Sequence, residues 1–524
     1  MVPFKHLPAP SLPLVILVSF VLSLNLSLLF PFLSFASVMA EPSSPSNHSA
    51  GTTDQSSPET MASVLYDHYE RYREPALQHR RFKHRDIVPL IHQRAAVESV
   101  SLSREGVSPE GRAIYRLKTG NGPIQVLLWS QMHGDEPTAT MALFDLFRFL
   151  AASDEYDDLR EEILSKLTIH AIPMLNPDGA ERYQRRTAFG VDMNRDALQL
   201  QSPGSQILKR IRDETSADFG FNLHDQSIRY SAGMTPKSTI IAFLAPAFDE
   251  ETSINPVRLR SMKLIAQLDE MLQEFIPGHV ATFSDTFEPR AFGDNMQKWG
   301  TSTILVESGG MIGDPEKQYI RKLNFLLLLE SFVSIARSDY ESYTVEQYES
   351  IPPNVLRLHS AIFRGVTLPW KQHEFQLDLA VNRSEINTNG ATAFYERGVV
   401  SEIGDLSTFA GFEEIEATGL RVKSGKVYPD TFATHKDLEQ VDVMELLRVG
   451  YTAVRVEELP EGVWTRFPLN ILGPEAMQPA GPVLRRAANL VFYRDGVPAY
   501  AVVNGFVVDL AASEPAVGNA LIYR

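Results

Sequence analysis

The sequence contains no cysteine among its 524 residues. Disulfide bonds and thiolate metal ligands are therefore excluded, and any metal ion would need histidine, aspartate or glutamate ligands. Basic residues are also in the minority, since 49 lysines and arginines against 65 acidic residues leave a formal net charge of −16. A chain with this charge repels polyanions, and no basic stripe with interleaved aromatic residues offsets it locally. Nucleic acid is therefore not expected as a partner.

Charged side chains are absent from residues 7–40, and the apolar centre of this segment runs from Leu12 to Leu29. Small residues at Ala36 and Ala40 follow the pattern of a signal-peptidase site. We therefore predict a signal peptide at residues 1–40, with cleavage near Ala40 and export to the periplasm or the extracellular space.

Two alternatives to a cleaved signal peptide remain open. The apolar run is close to the roughly 20 residues that span a bilayer, so it could remain as an uncleaved anchor, the one membrane contact expected of this chain. Translation could also start at Met61, which would leave a cytoplasmic protein. Residues 41–60 are rich in serine and proline and predict a flexible linker.

The body of the chain has ordinary globular composition, with 44% hydrophobic and 22% charged residues. Between residues 124 and 307, short apolar runs alternate with amphipathic segments, which predicts an α/β fold whose mixed sheet carries helices on both faces. The predicted strands are Ile124 to Trp129, Leu167 to Pro173, Asp218 to Leu223, Thr239 to Leu244 and Thr303 to Glu307. The predicted helices are Thr138 to Ala151, Pro256 to Phe275 and Pro315 to Arg337.

A change of pattern after about Tyr340 predicts a second, β-rich domain at residues 345–524. Short strand-like runs occur at Phe375 to Val381, Gly419 to Val422 and Ala488 to Leu510. The Asp495-Gly496 pair lies between apolar residues in the last of these runs and predicts a tight hairpin. We find no catalytic constellation in this region.

A histidine and a carboxylate lie three positions apart at His133 and Glu136, directly after an apolar run. This spacing suits a tetrahedral zinc ion, although chance supplies on the order of one such pair in a chain of this length. Two further apolar runs end at His224 and Glu307. Because open α/β sheets bind their ligands at the carboxyl ends of strands, we expect these four side chains to meet there.

Together with Asn176-Pro177-Asp178-Gly179 and the segment Gly190 to Arg195, these motifs make residues 124–310 resemble the catalytic domain of the carboxypeptidase A family of zinc metallocarboxypeptidases. The resemblance implies a catalytic domain at residues 61–340 that hydrolyses the C-terminal bond of peptides. It also implies one zinc ion per chain, bound by His133, Glu136 and His224 with a water molecule in the fourth position. Glu307 matches the general base of the family.

The resemblance extends to the groups that would contact the substrate. Asn194 and Arg195 match the pair that binds the free C-terminal carboxylate of a peptide. Arg185, or Arg186 if the alignment shifts by one residue, matches the arginine that polarises the scissile carbonyl. Asp192 matches the carboxylate that orients the first zinc-binding histidine.

One departure from the family pattern concerns a tyrosine on a mobile loop before the catalytic glutamate. No tyrosine occurs between Tyr230 and Tyr319. The loop around Phe283 to Phe292 is therefore expected to line the substrate pocket differently. The segment Asn176 to Gly179 fits a turn that shapes the cleft.

Two other functions remain open from the sequence. One is a zinc amidase or deacylase of the aspartoacylase and desuccinylase type, or a cell-wall peptide amidase, because that branch also uses His-x-x-Glu with a later histidine. The other is a binding module that keeps the fold without catalysis; retention of all three ligand residues and of the glutamate disfavours it.

Overall fold

The computed structural model describes residues 61–479 and 481–524. The predicted signal peptide and linker, at residues 1–60, lie outside the described residues. Within the described part of the chain, no helix is both long and apolar enough to cross a membrane.

The helices alternate with strands up to about residue 340, and strands predominate thereafter. The helices are α1 (Met61–His68), α2 (His84–Ala95), α3 (Thr138–Leu150), α4 (Asp157–Lys166), α5 (Pro177–Arg182), α6 (Pro203–Thr215), α7 (Pro256–Gln273), α8 (Phe292–Lys298), α9 (Gln318–Arg337), α10 (Val345–Glu349) and α11 (Val443–Arg448). The strands up to the same point are β1 (Val100–Val107), β2 (Ala113–Thr119), β3 (Ile124–Ser130), β4 (Leu167–Ile172), β5 (Phe219–Asp225), β6 (Tyr230–Ala232), β7 (Ile241–Leu244), β8 (Val280–Thr282) and β9 (Ser302–Ser308).

The central sheet has the strand order β1-β2-β4-β3-β5-β9-β7-β8. Strands β4, β3, β5 and β9 run parallel, whereas β1 and β2 are antiparallel at one edge and β7 is antiparallel to β9. Every residue of β4 is buried, as expected for a parallel strand covered on both faces. The predicted mixed sheet is therefore confirmed.

Helices cover both faces of this sheet, as predicted. One face packs against a large core that includes residues of α3, α7 and α9. The opposite face packs against α6 and α8 through a smaller core around Trp129 and Phe292. Helices α3 and α9 are joined by an ion pair between Asp145 and Arg321, whose side chains are both fully buried.

The C-terminal region is rich in β-strands, as predicted, and contains two further sheets. Its strands are β10 (Asn354–Leu356), β11 (Leu358–Trp370), β12 (His373–Thr388), β13 (Ala393–Gly404), β14 (Ala410–Glu416), β15 (Arg421–Ser424), β16 (Lys426–Thr434), β17 (Tyr451–Glu458), β18 (Trp464–Thr465), β19 (Asn470–Leu472), β20 (Leu490–Arg494), β21 (Val497–Val503), β22 (Phe506–Asp509) and β23 (Ala520–Tyr523). One sheet follows the order β13-β12-β11-β15-β20-β21-β22 with β14 beside β11, and the other follows β16-β17-β19-β23-β18.

The predicted hairpin at Asp495-Gly496 joins β20 to β21, with Arg494 opposite Val497. Both turn residues have positive φ angles, 50° and 85°. These angles are those of the tight turn that matches the twist of a two-residue hairpin, and glycine adopts them without a steric penalty.

Candidate metal centre and active site

The loop after β3 carries the first two candidate ligands and is held by the start of α5. Asn176 caps α5 by accepting a hydrogen bond from the Gly179 amide (3.0 Å), and its side chain donates to the carbonyl oxygen of Met132 (3.3 Å). A Cβ atom at Gly134 would lie 2.0 Å from the carbonyl carbon of Gly179, so the two backbones approach too closely for a side chain. The segment Asn176 to Gly179 therefore begins a helix and supports the ligand loop.

His133, Glu136 and His224 converge, although they come from two separate elements. One ligand atom from each of the three lies within 4.8 Å of the others. The Glu136 carboxylate lies between the imidazoles, with Oε1 2.9 Å from Nδ1 of His133 and Oε2 2.6 Å from Nδ1 of His224. Only 1% of His133 and 2% of His224 is exposed. Two imidazoles and one glutamate are the protein ligands of one class of catalytic zinc site, so these residues fit a zinc ion.

The electrostatics of the cluster also favour a cation. Burial opposes ionisation of Glu136, but the neighbouring His133 and His224 hold its pKa well below the usual range. A buried carboxylate that stays ionised needs a positive partner, and a bound metal ion would provide one. His224 also has a buried Nε2 atom that lacks a hydrogen-bond partner among the described residues.

Glu307 lies beside this cluster at the end of β9, where it is the register partner of His224 on β5. Its Oε2 atom is buried and accepts no hydrogen bond from the part of the chain that the structure describes. Burial and the negative charge of Glu136 raise the pKa of Glu307 well above its usual value. The metal-free chain thus favours the protonated form of Glu307, and the positive charge of a bound metal ion would favour the ionised form that accepts a proton.

Asp192 and Arg185 surround the first ligand. Asp192 Oδ1 is 3.2 Å from Nε2 of His133, which leaves Nδ1 of that ring facing Glu136 and His224. Arg185 donates from Nε to Asp192 Oδ2 (2.9 Å), and its Nη1 is 3.4 Å from Oε1 of Glu136. Arg186 instead donates to the carbonyl oxygen of Gly190. Of the two neighbouring arginines, Arg185 is the one that reaches the cluster.

Asn194 and Arg195 form a short turn beside the cluster. Asp192 accepts a hydrogen bond from the Asn194 amide (3.0 Å), which ties this turn to the residue that orients His133. Asn194 Oδ1 accepts from the amide of Phe292 (2.9 Å). The half-exposed Arg195 pairs through Nε with Glu288 Oε2 at 3.2 Å. Glu288 was not identified from the sequence.

Three further residues at the site were not identified from the sequence. Asp225 follows His224 and contacts Lys317, which lies in the loop after β9. Tyr230 packs against Phe283 with ring centroids 5.4 Å apart, and burial together with the charge of Glu307 raises its pKa. Tyr230 thus provides an aromatic contact to the loop formed by the segment Phe283 to Phe292. None of these contacts has a signal in sequence spacing.

Comparison with known proteins finds a family match for the segment that carries the three candidate ligands. A zinc carboxypeptidase family model (peptidase M14) matches residues 92–224, which include all three candidate ligands. Carboxypeptidase 2 of Trichophyton tonsurans is 28% identical over 153 residues, which cover 29% of this chain and 28% of the relative. Carboxypeptidase SOL1 of Arabidopsis thaliana is 34% identical over 104 residues, which cover 20% of this chain and 21% of the relative. The chain thus matches less than a third of the length of these relatives.

Among solved structures, a metallo-carboxypeptidase from Burkholderia cenocepacia is similar with a TM-score of 0.40 and 15% sequence identity. The alignment covers 49% of this chain and 70% of that one.

Proposed function

We propose that this protein is a zinc metallocarboxypeptidase that releases the last residue of peptides with a free C-terminal carboxylate, because residues 92–224 match a zinc carboxypeptidase family model. The observation that carries the proposal is the convergence of His133, Glu136 and His224 next to Glu307, with Arg185 in contact with Glu136. Arg195 lies three residues after Asp192, which contacts His133. This arrangement provides a metal site, a proton acceptor and two guanidinium groups for a substrate.

In the proposed reaction, His133, Glu136 and His224 would hold a zinc ion, which would supply Lewis acidity to the scissile carbonyl and lower the pKa of a water molecule towards neutral. Glu307 accepts a proton from the attacking water and later delivers it to the leaving amine, so that water adds across the broken C–N bond. Arg185 donates hydrogen bonds to the carbonyl oxygen as negative charge develops on it. Asp192 keeps the His133 ring in the tautomer that directs Nδ1 to the metal site.

The terminal carboxylate of the substrate would bind Arg195. In the structure this guanidinium pairs with Glu288, so we propose that the substrate carboxylate displaces Glu288. Two parallel hydrogen bonds between a guanidinium and a carboxylate are stronger than the single contact that they replace. Selectivity for peptides with a free C-terminus follows from this exchange.

The substrate test compares blocked dipeptides with a free or an amidated C-terminus. We expect the free acids to be cleaved about 10- to 100-fold faster, since hydrogen bonds to charged groups contribute about 1.5–3 kcal/mol. Chelation should abolish the activity and added zinc should restore it. Equal cleavage of both forms would contradict a role of Arg195 as carboxylate anchor. Hydrolysis of acetyl- or succinyl-amino acids or of muropeptides, without cleavage of peptides, would replace the proposal with the amidase alternative.

A matched pair of variants tests the role of Arg185. Arg185→Met should lower kcat by about 100-fold, the effect of removing one oxyanion donor. Arg186→Met is the control, because Arg186 is equally accessible but contacts Gly190. Equal losses in both variants would contradict the assignment.

We also propose that the protein is exported with its first 40 residues removed. The proposal is supported by the apolar segment and by the small residues before Glu41. Mass spectrometry of the natural N-terminus tests it; a chain that begins at residue 61 would contradict export.

A further inference from the structure

The chain segments that carry the three candidate ligands and Glu307 meet at one buried carboxylate, that of Asp225. Asp225 directly follows His224 at the end of β5, and its side chain is 5% exposed. Its Oδ2 atom accepts a hydrogen bond from Oγ1 of Thr138 (2.5 Å). Thr138 is fully buried and lies two residues after Glu136, at the start of α3. Asp225 therefore ties the third ligand to the loop that carries the other two.

The same oxygen of Asp225 also accepts a hydrogen bond from Nζ of Lys317 (3.0 Å). Lys317 Nζ further donates to the carbonyl oxygen of Ser308 (2.9 Å), the residue after Glu307. The amide of Gln226 donates to this carbonyl oxygen as well (2.9 Å). Lys317 thus joins the end of β5 to the end of β9, the two strand ends that present His224 and Glu307.

The backbone at Lys317 indicates that its position is held by these contacts. Its φ angle is 52°, in the left-handed region that a lysine adopts at a cost of about 1–2 kcal/mol. Its side chain is 10% exposed, so its charge is largely removed from water. A strained backbone and a buried ammonium group persist only where neighbouring contacts offset both costs.

We propose that Asp225, Lys317 and Thr138 form a clamp that positions Glu307 relative to the metal ligands. This proposal rests on the proposed function, since it assigns the three side chains as positioning residues for that reaction. None of them needs to touch the substrate. A misplacement of about 1 Å can cost roughly 100-fold in rate, and loss of groups that orient metal ligands typically costs 10- to 100-fold in metal affinity or activity.

Kinetics of Asp225→Asn and Lys317→Met test the clamp. Each variant should lower kcat by about 10- to 100-fold and change KM less than twofold, because the groups that bind the substrate are untouched. The conservative Lys317→Arg variant keeps the charge and should recover part of kcat. The double variant Asp225→Asn/Lys317→Met removes both charges and should lose less than the product of the single losses, since it leaves no unpaired buried charge.

A second measurement tests the geometry and affinity of the metal site independently of catalysis. The visible absorption spectrum of the cobalt-substituted full-length protein and its zinc affinity, measured by chelator competition, should both change in Asp225→Asn. The matched control is Asp145→Asn in the buried Asp145–Arg321 pair, which joins α3 to α9 and includes none of the candidate ligands or clamp residues. This control should lose stability while its cobalt spectrum and its kcat per bound metal stay at the wild-type values.

The outcomes separate the clamp from the proposed function. A wild-type protein that binds zinc and cleaves no peptide would contradict the proposed function, while the cobalt spectra would still test the clamp. Clamp variants that lose stability as Asp145→Asn does, with unchanged spectrum and unchanged kcat per bound metal, would overturn the clamp.

Discussion

Replacement of Glu307 by glutamine should separate catalysis from stability. The substitution keeps the shape of the side chain and removes its ability to accept a proton. General-base catalysis contributes roughly 10²- to 10⁴-fold. At about 1.36 kcal/mol per tenfold change, the activation barrier should rise by about 3–5 kcal/mol. Zinc should still bind, because Glu307 is not among the three residues whose ligand atoms converge.

The same substitution should stabilise the metal-free fold, with a defined pH dependence. Burial and Glu136 raise the pKa of Glu307, so the folded chain favours its protonated form. The stability that Glu307 contributes is fully present below its pKa in the unfolded chain, about 4.3. This contribution is lost as the pH rises through the pKa of Glu307 in the folded chain. The gain from Glu307→Gln should therefore be larger at pH 7 than at pH 4.

The assay measures kcat, zinc per chain and urea unfolding of the chelated protein. Glu330→Gln is the matched control, because burial also raises the pKa of this glutamate, which lies on α9 and accepts a hydrogen bond from Gln267 on α7. The control should keep full activity. A loss of kcat smaller than tenfold in Glu307→Gln, at one zinc per chain, would refute the role of Glu307 as proton acceptor.

Three further substitutions test the support of the site. Gly134→Ala places a Cβ 2.0 Å from the backbone of Gly179 and should displace the ligand loop, so that elemental analysis finds well under one zinc per chain. Glu385→Ala removes the carboxylate that pairs with the buried Arg80 and Arg81. Urea unfolding should show a loss of about 2 kcal/mol, and hydrogen exchange should accelerate near Tyr183. Burial raises the pKa of Asp294 to about 6, so the stability that this residue contributes at pH 4 is lost towards pH 6. Asp294→Asn should therefore raise the free energy of unfolding by about 1–2 kcal/mol at pH 7 and have little effect at pH 4; an equal effect at both pH values would contradict the shift.

The predictable part of the fold is the part in which local sequence and tertiary burial agree. Strands β3, β4, β5 and β9 are largely buried and predominantly apolar, as expected where helices cover both faces of a sheet. The edge hairpin of β1 and β2 was not predicted. Half of it faces solvent, and residues such as Ser103 and Arg104 interrupt its apolar pattern. Its pairing depends on the neighbouring strand β4, which no local signal indicates.

The residues of the candidate site also fall into a group that could be predicted from the sequence and a group that could not. The ligands and Glu307 could be located because they follow apolar runs, and parallel strands bring their carboxyl ends to one edge. The contacts of Lys317 and Glu288 depend on loops after β8 and β9, whose paths are set by packing between distant segments. Sequence spacing carries no information about such contacts, which explains why the partners of Asp225 and Arg195 emerged only from the fold.

The C-terminal region contacts the segments that flank the candidate site on two sides, so it is part of the structural support of the site. Strand β10 pairs with β6, which begins at Tyr230, and Asn354 donates to the side chain of Gln226 (2.7 Å), two residues after His224. On the other side, Asn387 on β12 donates to the carbonyl oxygen of Tyr183 (3.2 Å), two residues before Arg185. Because hydrogen bonds from this region contact the segments on both sides of the cluster, its removal should release the segments that carry His224 and Arg185. Point substitutions at these contacts therefore test this support more directly than truncation does.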